Sequence, residues 1–145
     1  MLLGTYPAKF VSGHRVAVPS ILRRELGDKF ILARWYEGCL VLIDNKSWDA
    51  LFRKLVGVGQ LAVLPVRDTE RFILSGAFEV SPDDQGRIVI PEVLLKYSGI
   101  TEDIYLIGTG DRVEIWSKEL WEQKEKEIVA NAAEYIEQLA KKNGK

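Results

Sequence analysis

The chain repeats itself, and this internal duplication constrains its fold more than any other feature. The stretch "RVAVPSILRRELG", residues 15–27, aligns with "RIVIPEVLLKYSG", residues 87–99, at an offset of 72 residues. The offset becomes 74 at Leu32 and Leu106, which indicates two residues added after the helix and two lost from the next turn. The pairs at 72 are Gly4/Gly76, Arg15/Arg87, Val16/Ile88, Val18/Ile90, Pro19/Pro91, Leu22/Leu94, Gly27/Gly99, Val41/Val113 and Ile43/Ile115. Agreement at so many turn and core positions indicates a tandem duplication rather than a solenoid of short units.

Each copy predicts the same order of elements, ββαββ. A short strand leads into a polar loop, and an alternating strand, "RVAVP" or "RIVIP", follows the loop. Proline then starts a short helix that ends at Gly27 or Gly99, residues suited to the left-handed C′ position. A strand pair closes each copy, with hairpin turns at Glu37-Gly38 and Gly110-Asp111.

The length of one copy predicts how the two copies are combined. Four short strands and one short helix bury too little apolar surface to be stable alone. Two interleaved copies can share one core, so we expect an α+β fold with a pseudo-two-fold, β-barrel-like unit. The expected divisions are a first half at 1–55, a connector at 56–75, a second half at 76–120, and a C-terminal helix and tail at 121–145.

Helices are expected outside the two copies. One runs from about Lys46 to Leu55, and a connector with "GVGQLAVLP" leads to "VRDTERFILSG", whose second part is compatible with a helix. The last helix runs from about Ser117, its N-cap, to Lys142. About 25 helical residues span roughly 37 Å, which is long for so small a domain. Either the helix packs partly on another subunit, or it folds back along its own domain.

Composition narrows the class of protein. No apolar run approaches the roughly 20 residues that span a bilayer, and no secretory signal opens the chain. A single cysteine excludes an intramolecular disulfide, so a reducing cytoplasm is the expected compartment. Residues 1–72 carry a net charge of +4 and residues 73–145 carry −5. This asymmetry indicates either a basic face for an anionic partner or simply an acidic C-terminal helix.

Few residues could support catalysis or bind a metal. His14 is the only histidine and Cys39 the only cysteine, which nearly excludes metal sites built on these residue types. A nucleophile–base pair would require His14 and Cys39 to lie close together, with a third group to orient the base. A carboxylate-only site at Asp83 and Asp84 is weakly supported. We therefore predict a protein that is not an enzyme, with no catalytic residue, metal or cofactor.

The arginine loops are the strongest candidates for a binding site. Arg15 and Arg87 occupy equivalent positions, where a polar loop becomes a strand. The planar donor fork of arginine matches either guanine O6/N7 or a phosphate. Asp83 lies four residues before Arg87 and can orient it, while Gly86 lets the loop turn without a Cβ clash. The alternative is an ordinary surface salt bridge that contributes about 0–1 kcal/mol. A modest basic cluster surrounds the first loop: Lys9, His14, Arg23 and Arg24.

The duplicated units, with "FILSGAFEVSPDDQGRIVIP" and "IYLIGTGDRVEIWSKELWEQ", resemble the MraZ family, whose halves are swapped-hairpin domains of the SpoVT/AbrB type. The resemblance covers nearly the whole chain. It implies a bacterial transcriptional regulator, with repression the expected sign, that binds repeated sites upstream of the division and cell-wall gene cluster, including its own operon. It also implies an octamer-like or dodecamer-like ring that is cytoplasmic and nucleoid-associated and presents its arginine loops to double-stranded DNA repeats.

The family's Asp-x-x-x-Arg loop is complete in the second copy, from Asp83 to Arg87, but in the first copy the aspartate position is Val11. Arg15 therefore either reads phosphate instead of a base, or binds more tightly because a negative charge is missing. Two other classes of function stay open. A protein–protein module would depend on an exposed apolar groove, and an enzyme would depend on His14 and Cys39.

Overall fold

The computed structural model describes residues 1–57 and 63–144. The first copy consists of β1 (Leu2–Val11), β2 (Arg15–Ala17), α1 (Ser20–Leu26), β3 (Phe30–Arg34) and β4 (Leu40–Asp44). Helices α2 (Asn45–Val56) and α3 (Leu64–Ser75) follow. The second copy consists of β5 (Phe78–Val80), β6 (Arg87–Val89), α4 (Glu92–Ser98), β7 (Asp103–Gly110) and β8 (Val113–Ser117), and α5 (Lys118–Gly144) ends the chain. The predicted α+β class and the ββαββ order of both copies are confirmed.

Strand pairing interleaves the two copies. Over the described residues the sheet has the order β5-β3-β4-β8-β7-β1-β2-β6. The pairs β1–β7, β2–β6, β3–β5 and β4–β8 each join one copy to the other, and all are antiparallel. Each half therefore supplies strands that complete the other half's sheet. This arrangement explains how units too small to fold alone make one stable structure.

The sheet is nearly closed, and its two edge strands are β5 and β6. In the first copy, β1 pairs with β2 through Phe10↔Val16 and Val11↔Arg15. At the same offset, Pro82 and Asp83 take the places of Phe10 and Val11. The edge strands β5 and β6 are joined by one backbone hydrogen bond just beyond β5, from Asp83 N to Arg87 O at 2.9 Å. The barrel opens beside the second arginine loop.

Equivalent residues of the two copies meet in one core. The repeat pairs Val16/Ile88, Val18/Ile90 and Leu22/Leu94 are all buried in the same cluster, together with Phe30, Leu32 and Leu42. Full burial of one such side chain contributes about 1.5–3 kcal/mol. A second cluster covers the outer face of β3, β4 and β8 with residues from α2, α3 and the start of α5. The connecting helices thus bury part of the outer face of the sheet, while its inner face is buried in the barrel interior.

Most predicted turns and caps are confirmed, with two differences. Gly99 ends α4 in the left-handed conformation, at φ 67° and ψ 16°. Gly27 was predicted to do the same for α1 but adopts φ 89° and ψ −175°, an extended conformation with positive φ that suits glycine. The pair Gly4/Gly76 is not structurally equivalent, because Gly4 lies within β1 whereas Gly76 caps α3. Since α3 ends there, β5 is much shorter than β1.

The long C-terminal helix extends away from the barrel. Its N-cap is Ser117 as predicted, since Leu120 N donates to Ser117 Oγ at 3.3 Å. The first turns pack on β7 and β8, where Trp121 is buried against Trp116. From residue 125 to 143 the side chains are exposed, except for half-buried Asn131 and Ala132. Of the two alternatives for this helix, folding back along its own domain is wrong. The connector segment "GVGQLAVLP" falls largely outside the described residues.

Candidate nucleic-acid interface

The two loop arginines lie on one outward-facing ribbon. Strands β2 and β6 pair antiparallel with the register Arg15↔Val89, Val16↔Ile88 and Ala17↔Arg87. Because Val16 and Ile88 are buried in the core, the residues that alternate with them point outward. Arg15 and Arg87 are therefore diagonal neighbours on one surface, about 7–8 Å apart at Cα. We call this pair of strands the arginine ribbon.

The second loop holds Arg87 in a defined direction. Asp83 Oδ1 accepts hydrogen bonds from the backbone N–H groups of Gln85 and Arg87, each at 2.9 Å. Asp83 Oδ2 accepts from Arg87 Nε at 3.1 Å. The backbone N–H of Arg87 is the largest cause of the lowered pKa of Asp83, so the carboxylate is ionised at neutral pH. Within the described residues, nothing hydrogen-bonds Arg87 Nη1 or Nη2, which leaves both groups available to a ligand.

Arg23 of the first copy packs on this second loop. Gly86 has φ 76°, and a Cβ built there would lie 2.7 Å from both Nε and Cζ of Arg23. Arg23 Nε donates to Val18 O at 2.8 Å, and Val18 N donates to Gly86 O at 2.9 Å. The guanidinium is therefore fixed between helix α1 and the loop. Its geometry suits positioning of the loop, and the predicted phosphate contact by Arg23 stays a prediction.

The first loop is held differently. Arg15 Nε donates to Ser12 O at 2.9 Å, a backbone carbonyl three residues earlier. Val11 pairs with Arg15 where Asp83 stands beside Arg87 in the second copy. His14 has φ 57°, and its ring stacks on Phe10 at 5.9 Å between centroids. Within residues 1–57 and 63–144, Arg15 thus has no carboxylate among its hydrogen-bond partners, so its direction is less constrained than that of Arg87.

A basic groove lies beside the second loop. It has a volume of about 600 Å³ and combines three cationic side chains, those of Arg23, Arg24 and Lys29, with Ser81 and the two carboxylates of Asp28 and Asp83. The predicted basic cluster is therefore only partly contiguous. Lys9 is exposed on β1, opposite Asp103 of β7, on the same face of the sheet as Arg15.

Sequence reasoning missed Lys29 and Val89, and it identified Val11 only as the residue in the aspartate position of the first loop. Lys29 had a usable signal, because it directly follows the Gly-Asp end of the first helix. Val89 had none, since its position beside Arg15 depends on the register between strands of different copies, whereas Val11 pairs with Arg15 within the first copy.

The other residues considered for catalysis or metal binding do not form a site among the described residues. Cys39 is buried, and burial is the main cause of a thiol pKa well above its usual range. Among the residues that the structure describes, no group of three or more His, Cys, Asp or Glu side chains could hold a metal ion. In the same part of the chain, no helix combines the length and apolar content needed to cross a bilayer.

The fold and this surface define a duplicated swapped-hairpin protein with an exposed arginine ribbon. Residues 73–143 match the family described as "MraZ protein, putative antitoxin-like". The protein named transcriptional regulator MraZ from Clostridium acetobutylicum is 40% identical over 141 residues, which cover 96% of this chain and 99% of that protein. The proteins of the same name from Clostridium tetani and Caldanaerobacter subterraneus subsp. tengcongensis are 42% and 39% identical, over 85% and 96% of this chain and 86% and 96% of their own lengths. The chain belongs to the MraZ family.

Proposed function

We propose that this protein is a sequence-specific DNA-binding transcriptional regulator, acting as a repressor, whose arginine ribbon enters the major groove. The arginine ribbon itself is the observation that carries the proposal. A B-DNA major groove is about 12 Å wide and admits a two-stranded β-ribbon. Here such a ribbon presents two arginines on one outward face, anchored by the buried Val16 and Ile88.

The two arginines have different roles in this proposal. Arg87, oriented by Asp83, presents Nη1 and Nη2 as a fork that matches guanine O6 and N7. Arg15 is tied only to a carbonyl and adapts to the DNA it meets. Phosphate contacts come from Lys9, His14, Arg24 and Lys29, with Arg23 contributing mainly through the loop it supports.

One ribbon reads too few base pairs for a useful specificity ratio, so the proposal includes a homo-oligomeric ring. Several ribbons engaged on successive DNA repeats add avidity without any new type of contact. The exposed part of α5 supports the assembly, because it carries the apolar side chains of Ile128, Val129, Tyr135, Ile136 and Leu139. We propose that this stripe packs on a neighbouring copy, in an octamer-like or dodecamer-like ring. The expected sites are repeats upstream of the division and cell-wall genes, including the protein's own operon, and the expected location is the cytoplasm and nucleoid.

The DNA-binding proposal is tested with Arg15→Ala and Arg87→Ala in an electrophoretic shift assay on the upstream fragment of the protein's own operon. Each variant should bind about fivefold to 150-fold more weakly, since one good base contact contributes about 1–3 kcal/mol. The matched control is Arg53→Ala, an exposed arginine on α2. Wild-type affinity should also fall steeply as salt rises. Unchanged binding by both ribbon variants, or a flat salt profile, would remove the ribbon from the mechanism.

The assembly is tested separately by light scattering. Ile136→Glu places a charge in the apolar stripe and should reduce the particle mass. Gln138→Glu adds the same charge at an exposed polar position of α5 and should leave the mass unchanged. Equal masses for the wild type and Ile136→Glu would exclude the stripe as the subunit contact.

A further inference from the structure

Arg15 lies in the middle of an apolar row that crosses three strands. On β1, Val11 is its direct partner, and on β6, Val89 is its direct partner. Both valines face outward, with 44% and 55% of their surface exposed. Side chains directly opposite each other in an antiparallel pair have Cβ atoms about 4.5–5.5 Å apart. The stem of the Arg15 side chain therefore emerges between two outward-facing valines, while its guanidinium lies over the loop that contains Ser12 and Gly13.

The equivalent row around Arg87 has a different character. Its neighbour across β2 is Ala17, and its neighbour on the other side is Asp83. The pseudo-two-fold axis thus relates a row of Val-Arg-Val to a row of Asp-Arg-Ala. Valine favours strands for conformational reasons, so one exposed valine would need no explanation. Two valines that flank the same arginine, at the places held by aspartate and alanine in the other copy, form a chemically distinct surface.

We infer that the Arg15 row recognises a guanine next to a thymine, with Val11 and Val89 as specificity-determining residues that contact the thymine methyl group. The inference rests on the proposed function. Thymine alone presents a methyl group in the major groove, and apolar side chains recognise it by contact. Successive bases on a strand are about 3.4 Å apart, so a side chain beside an arginine reaches the base next to its guanine. The Arg87 row offers a carboxylate on one side and only the single methyl group of Ala17 on the other, so its preference for thymine is weaker.

The experiment uses a duplex that the wild-type protein selects from a randomised DNA pool. The same duplex is then made with deoxyuridine in place of each thymine in turn, which removes only the methyl group. At one thymine beside the guanine that Arg15 contacts, the wild type should bind about fourfold more weakly, the factor that corresponds to one buried methyl-sized group. Val89→Ala and Val11→Ala should lower that ratio toward one. Val63→Ala, with a valine 43% exposed at the start of α3, is the matched control and should keep the full ratio.

The outcomes separate this inference from the proposed function. If no sequence is selected, or if neither Arg15→Ala nor Arg87→Ala weakens binding to it, the proposed function fails. If only Arg87→Ala weakens binding, the proposed function stands and this inference about the Arg15 row fails. If a sequence is selected and depends on Arg15, but deoxyuridine has no effect at any thymine, the methyl contact is excluded while the regulator remains. The same conclusion follows if the selected site has no thymine beside a guanine, or if both valine variants retain the fourfold ratio. Two variants on different strands, each checked by circular dichroism, keep the test decisive if one of them folds poorly.

Discussion

Replacing Gly86 by alanine tests whether Arg23 supports the second arginine loop, residues 83–87. Two costs follow from the structure. At φ 76° an alanine is in the left-handed region, which costs about 1–2 kcal/mol relative to the right-handed one. The new Cβ would also lie 2.7 Å from Arg23 Nε, so the flexible guanidinium must shift, and we expect this shift to break its hydrogen bond to Val18 O. Loss of that half-buried charged hydrogen bond costs about 1 kcal/mol. We therefore expect Gly86→Ala to lower the free energy of unfolding by about 2–3 kcal/mol.

Gly99 provides a matched control for the backbone cost. It has φ 67°, but a Cβ added there would meet no atom within 4 Å. Gly99→Ala should therefore show the backbone cost alone. Urea denaturation at one fixed protein concentration measures both variants, since assembly makes the apparent stability concentration-dependent. In an Arg23→Ala background, Gly86→Ala should cost no more than Gly99→Ala. The resulting coupling energy between positions 23 and 86 should be about 1 kcal/mol.

The reasoning would be refuted in either of two ways. If Gly86→Ala and Gly99→Ala destabilise the protein equally in the presence of Arg23, the guanidinium moves away without cost. If the double-mutant cycle shows additive effects, Arg23 and the loop are energetically independent. In either case Arg23 would return to the set of simple phosphate contacts. If Arg23 positions the loop, Arg23→Ala should also weaken DNA binding. The size of this loss should change little with salt concentration, because a residue that does not contact phosphate releases no counterions.

Three further predictions concern single groups. The Asp83 carboxyl should titrate below its ordinary pKa of 3.8 in an NMR experiment. The loop's contribution to stability is therefore present above pH 3.8 and is lost as the pH falls through the lowered pKa. A carboxyl that titrates at or above 3.8 would contradict the hydrogen bonds assigned to it. Cys39 should not react with a thiol reagent at pH 8 until the protein is unfolded, because burial raises the pKa of its thiol. Rapid labelling of the native protein would contradict this burial by showing that the thiol is accessible. Tyr97→Phe should cost about 1–3 kcal/mol in urea denaturation, since it leaves the backbone N–H of Gly38 and the carbonyl of Trp35 without their partner. A loss below about 0.5 kcal/mol would mean that water replaces the hydroxyl.

The duplication made much of the fold predictable. The sequence predicted an alternating strand in each copy and one shared core, and the strands that form there bury Val16 and Ile88 in that core. The glycine at position 110 likewise predicted a tight hairpin turn, which forms with Thr109 N bonded to Arg112 O. Local patterns determined these features, so a single sequence was sufficient.

Pairings between the copies could not be predicted in the same way. The partner of a strand is not encoded in its own alternation, so the sequence does not show that Val89 lies beside Arg15. The contact of Arg23 with Gly86 also joins different copies, and sequence reasoning could assign Arg23 only its charge. The sequence thus predicted which residues belong to the candidate site. Which of them contact one another could be seen only in the three-dimensional structure.

The two copies have become dependent on each other at the level of single side chains. The second loop is ordered by its own Asp83 and by Arg23 from the first copy, whose repeat equivalent is Leu95. The first row takes Val89 from the second copy, where the repeat equivalent is Ala17. A chain built from two second copies would keep the aspartate but lose the guanidinium that packs on Gly86, and one built from two first copies would lose the oriented fork of Arg87. Each row therefore needs a residue that only the other copy provides, so the ribbon presents two different surfaces in a fixed order. If the ribbon binds DNA as proposed, we expect it to distinguish one direction along the DNA from the other.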